Sequence, residues 1–83
     1  MAELSDVRLE ELKTSIPIEI GNRVKFLRKE NGLTQTQLAQ LVGKDRQYLY
    51  KIEKGRVTPN IVTISALAYA LEISLTDFFD FKI

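Results

Sequence analysis

Arg46, Gln47, Tyr50, Lys51 and Lys54 fall within one nine-residue stretch, and on a helix over residues 46–54 they share one side. At about 100° per residue, Leu49 and Ile52 point the opposite way, with Tyr48 at the margin. Three of the five outward residues are cationic and none is acidic. Arg can hydrogen-bond a guanine edge through two atoms at once, Gln can do the same with adenine, and Lys neutralises phosphate. The chemistry on offer is recognition of a nucleic acid by base edges and backbone charge. A merely solvated face is the alternative, although such faces more often mix Lys with Glu.

Local signals set the helices that must hold these side chains. Asp45 is a good cap for the helix over 46–54, and Gly55 ends it. Thr34 starts the preceding helix, with Gln37 three residues on in capping-box spacing, and Gly43 ends that one. Residues 35–54 are thus two short helices joined at Gly43, the helix-turn-helix pattern. Ala39 is small where the second helix must cross closely. Leu38, Val42, Leu49 and Ile52 are apolar where the pair meets a core.

The remaining segments also read as helices. The glycines at 21, 32, 43 and 55 punctuate the chain about every three turns. Ser5 can cap a short helix over 6–13, with Leu4 and Leu9 as a hydrophobic staple. Pro17 then forces a break or a new first turn. A helix follows over 18–31, with Ile20, Val24 and Leu27 as its stripe and Gly32 as its stop. Asn60 caps a helix whose inner positions are Ile61, Ile64, Leu67, Ala68 and Leu71, and Ser74 with Asp77 repeats the cap ahead of Phe78. The expectation is an all-α, compact five-helix domain, with a sixth short helix if the N-terminal segment forms its own. Residues 1–17 read as an acidic extension and 18–83 as the domain proper.

Composition limits the function classes. Eighty-three residues with 45% hydrophobic and 28% charged side chains suit one small globule. Cys and His are absent, which excludes disulfides, thiol chemistry and the usual zinc and His-based catalytic sites. No enzyme, cofactor or metal is implied, no apolar run is long enough to span a bilayer, and a cytoplasmic protein is expected. The net charge of +1 hides a strong asymmetry: −3 over residues 1–20, +6 over 21–56 and −2 over 57–83. A basic centre between acidic flanks points to an anionic partner on one face.

The motifs Leu33-Thr34-Gln35-x-x-Leu38-Ala39, Ile52-Glu53-x-Gly55, Pro59-Asn60 and Ala70-Leu71-x-Ile73-Ser74-Leu75 occur in order. At this spacing the stretch 21–79 resembles the phage Cro/repressor-type helix-turn-helix family. Within that family, Asp45-Arg46-Gln47-Tyr48 and Ile52-Glu53-Lys54-Gly55 look like the controller proteins of restriction–modification systems. Lys44 departs from the pattern, which usually has an apolar residue after the turn glycine; its methylenes can cover the core while the ammonium reaches solvent.

The resemblance implies roles by position. Arg46, Gln47, Tyr50 and Lys51 match base-facing residues of a recognition helix in the major groove. Lys54 and Arg56 match backbone-contacting ones, and Lys44 is expected to join them. Gln35 opens the second helix, where family members hold a DNA phosphate; from the residues alone, a Gln that merely starts a helix is an equal alternative. Arg28 and Glu53 match a partly buried ion pair and are read as structural. Phe78, Phe79, Phe81 and Ile83 crowd the last six residues. The resemblance places a two-fold dimer interface there, with Phe79, Phe81 and Ile83 as its residues. The alternative is that the aromatics close the monomer core, which holds for at least Phe78.

The reading is a homodimeric regulator of transcription that binds double-stranded DNA by sequence. One alternative is an antitoxin, whose acidic N-terminal segment would serve a toxin protein. Another is an interaction-only module that keeps the fold without reading DNA.

Overall fold

The computed structural model describes residues 1–82, which are helical without strands. Five helices follow in order: α1 (Asp6–Glu30), α2 (Gln35–Leu41), α3 (Arg46–Glu53), α4 (Ile61–Ala70) and α5 (Leu75–Phe78). Each begins at a side-chain oxygen that accepts the backbone N–H three residues on, from Ser5, Thr34, Asp45, Asn60 and Ser74. Thr34 and Gln37 complete the reciprocal box, the Thr34 N–H donating to Gln37 Oε1 at 2.8 Å.

Four helix ends share one device, an N–H reaching back five residues: Leu33 to Arg28, Lys44 to Ala39, Arg56 to Lys51 and Ile73 to Ala68. Gly43, at φ +70°, makes this turn between α2 and α3, where a Cβ would cost about 1–2 kcal/mol. After α4 the left-handed residue is Glu72, at φ 60°, so that turn closes without a glycine.

The expected break at Pro17 does not occur. α1 runs unbroken for 25 residues with Pro17 inside it, so the boundary drawn between 17 and 18 falls within one helix. No separate sixth helix forms; the N-terminal segment is the first half of α1. Proline removes one helical N–H and crowds the carbonyl four residues back. Here that carbonyl belongs to exposed Lys13, where water can satisfy it, while the Pro17 ring itself is buried. The exposed Arg8–Glu11 and Lys13–Glu10 pairs add little to this half.

Gly21 is also not a punctuation point. It lies buried within α1, and a Cβ built on it would stand 2.3 Å from the Ile52 carbonyl oxygen of α3. Missing side-chain bulk lets α1 and α3 touch backbone to backbone. Gly→Ala inside a helix ordinarily stabilises by about 1 kcal/mol. Gly21→Ala should instead destabilise by on the order of 1–3 kcal/mol, because the backbone must shift. Thermal unfolding checks this, and a rise in Tm would refute the close approach.

The core is Ile20, Val24 and Leu27 of α1, Leu38 and Ala39 of α2, Leu49 and Ile52 of α3, Ile64, Leu67 and Ala68 of α4, with Leu71 and Phe78. Ala39 is fully buried in the α2 face that packs on α3 and α4. One residue expected on an inner face lies outside: Ile61 is 59% exposed, and Leu41 of α2 is exposed as well, at 60%. No helix among the described residues is long and apolar enough to cross a membrane.

Candidate nucleic-acid interface

α3 presents the expected division of faces. Leu49, Ile52 and Glu53 are buried, Tyr48 and Tyr50 are half-buried, and Arg46, Gln47 and Lys51 are exposed. The helix ends at Glu53, so Lys54 is its exposed C-terminal cap rather than its last turn. Asp45, the N-cap, accepts the Tyr48 N–H through its carboxylate at 2.8 Å. This fixes the first turn, which carries Arg46 and Gln47.

The one acidic residue of α3 is turned inward and matched. Arg28 Nε donates to Glu53 Oε2 at 2.7 Å and Arg28 Nη2 to Oε1 at 3.0 Å. Its Nη1 donates to the Leu33 carbonyl at 2.8 Å, tying the turn after α1 to the same pair. A forked guanidinium–carboxylate contact of this kind fixes orientation as well as charge. Gln35 Nε2 donates to Glu53 Oε1 at 3.1 Å, so the amide at the start of α2 is held by the pair and keeps one N–H for another acceptor.

Aromatic rings hold several cations near α3. Lys44 Nζ lies 5.1 Å from the Tyr48 ring centroid. Lys54 Nζ and the Arg56 guanidinium carbon each lie 5.7 Å from that of Tyr50. Such contacts contribute about 0.5–1 kcal/mol at exposed sites. Tyr50 is thus a platform for two cations at the far end of α3, and Lys44 is exposed with its charge over Tyr48 instead of among core side chains.

Other charges and apolar residues take positions that tertiary packing decides. Arg23, counted within the basic centre, donates to the Phe78 and Asp77 carbonyls at 2.9 and 2.5 Å and closes the end of α5. Lys25 and Lys29 of α1 are exposed and line a groove with Arg46, Tyr50 and Lys54. In the tail, Phe78 is fully buried and Phe81 is half-buried against the core, so both serve the monomer. Phe79 is 39% exposed, and Ile83 lies outside the described residues. A larger exposed apolar surface sits on α4, where Ile61, Val62 (74%) and Tyr69 (87%) share one side. α4 is apolar almost all round, so periodicity alone did not mark which side faced out.

Comparison with known proteins identifies the family and the fold. A family profile described as Helix-turn-helix matches residues 24–78. The chain is similar to the immunity repressor protein of Bacillus phage phi105, 44% identical over 57 residues. That match covers 69% of this chain and 40% of the phage protein, less than half of that relative's length. It is also similar to the control protein C.MunI of a Mycoplasma species, 35% identical over 65 residues, covering 77% of this chain and 88% of that protein. Among solved structures, it resembles the restriction-modification controller protein C.AhdI from Aeromonas hydrophila. The TM-score is 0.76 at 36% identity, over 80% of this chain and 96% of the other.

Proposed function

This chain belongs to the HTH_3 helix-turn-helix family of DNA-binding transcription regulators, and we propose that it acts as a cytoplasmic homodimer with α3 in the major groove of its operator. The observation that carries this reading is the outward face of α3, where Arg46, Gln47, Lys51 and Lys54 stand exposed with no acid among them. Glu53, the only acid in the helix, is buried against Arg28. Arg46 and Gln47 lead into the groove and read base edges, with Tyr50 and Lys51 a turn behind. Lys44, Lys54, Arg56 and the remaining Gln35 N–H hold backbone phosphates. Bound protein then blocks or recruits polymerase by occupancy, and no catalytic step is assigned.

One short helix reads too few base pairs for a specific site, so a two-fold pair is needed. The α4 face with Ile61, Val62 and Tyr69, together with Phe79, offers the apolar surface for it. This moves the centre of the proposed interface from the tail onto α4. The similarity to an immunity repressor and to controller proteins supports a regulatory role, whereas none of these likenesses favours the antitoxin alternative.

Selection of bound duplexes from a random pool tests the reading. The expected result is an inverted repeat whose half-site centres lie about 34 Å apart, one turn of DNA. Failure to enrich any sequence would overturn sequence-specific binding, and enrichment of a single unrepeated half-site would overturn the dimer.

A further inference from the structure

We propose that Lys25 and Lys29 of α1 form a second grip on the DNA backbone, across a groove from α3; this rests on the DNA-binding reading above. The groove has a volume of about 440 Å³, with these lysines on its α1 wall and Arg46 and Lys54 on its α3 wall. The buried Arg28–Glu53 pair lies between the walls, and its charges cancel. The groove is therefore lined by four cations without an ion-pair partner among the described residues, and its one acid is the matched Glu53.

Lys25 and Lys29 are four residues apart on a helix, so their side chains are neighbours one turn apart. Like charges at that spacing disfavour the helix. Neither lysine has a salt-bridge partner among the described residues. A polyanion lying in the groove turns that repulsion into attraction for both. The ligand is duplex DNA because the opposite wall is the recognition helix itself. A strand flanking the major groove that α3 enters would pass its phosphates between Lys54 and the two α1 lysines. α1 then contributes affinity without sequence information, since ammonium groups meeting phosphate oxygens do not distinguish bases.

The test uses the whole chain and a duplex carrying the selected site. Lys25→Gln, Lys29→Gln and the double variant are compared with wild type and with Lys13→Gln, a lysine outside the groove that pairs with Glu10. Circular dichroism confirms that each variant folds. Each phosphate released contributes about 0.9 to the slope of log K against log salt. The double variant should therefore be shallower by about 3–4 in a dimer, with base preference unchanged and Lys13→Gln like wild type. A steep wild-type slope that the double variant leaves unaltered overturns this proposal alone, as does an altered base preference at unaltered slope. A flat wild-type slope overturns the DNA-binding reading, and this proposal with it.

Discussion

Arg28→Ala should destabilise the fold by roughly 3–5 kcal/mol, the usual cost of stranding one member of a buried ion pair. The Glu53 side chain is 2% exposed, and without Arg28 its carboxylate keeps only the Gln35 amide as a partner. The same change frees the Leu33 carbonyl that Arg28 Nη1 now satisfies. A domain of this length holds about 4–12 kcal/mol in all, so the variant should be largely unfolded on mild warming. Arg28→Met combined with Glu53→Leu should recover much of the loss, because the desolvation cost of both charges disappears together. Urea titration of the two single variants and the pair separates these outcomes. Single-variant losses below about 1 kcal/mol would mean that the pair is as weak as a solvated one.

Affinity for the operator should fall steeply with salt, with a log–log slope on the order of −5 to −9 for the dimer, the upper figure including Lys25 and Lys29. The exposed cations Lys25, Lys29, Lys44, Arg46, Lys51, Lys54 and Arg56 gather on α1, α3 and the turns beside α3. Arg23 and Arg28 are committed to protein acceptors and contribute little. Between 50 and 200 mM salt the expected loss is roughly 10³–10⁵-fold. Fluorescence anisotropy across that range measures it, and a slope near zero would remove the electrostatic part of the account.

Features set by neighbours in sequence were legible before the structure. The caps at Ser5, Thr34, Asp45, Asn60 and Ser74 each depend on a side chain and an N–H three residues away. The division of α3 into inner and outer faces follows from helical period alone. Features set by tertiary approach were not legible. Gly21 resembles a turn signal until α3 backbone is found against it. Pro17 reads as a break because its cost is local, whereas the burial of its ring is supplied by the fold. Arg23 reads as a free cation until its guanidinium is seen on carbonyls 54 and 55 residues later in the chain. The exposed apolar face of α4 was hidden by its own uniformity: Ile61 fits the inner pattern, yet is 59% exposed.

In the proposed function the first turn of α3 reads bases and its far end grips backbone. This is tested by a binding matrix of Arg46→Ala and Lys54→Ala against every single-base variant of the selected site. Arg46→Ala should cost about 1–3 kcal/mol on the preferred site and relax the preference at one position per half-site. Lys54→Ala should weaken all sequences alike and make the salt slope shallower by about 1 per subunit. A uniform loss for Arg46→Ala, with a changed base preference for Lys54→Ala, would contradict this assignment of the two ends of α3.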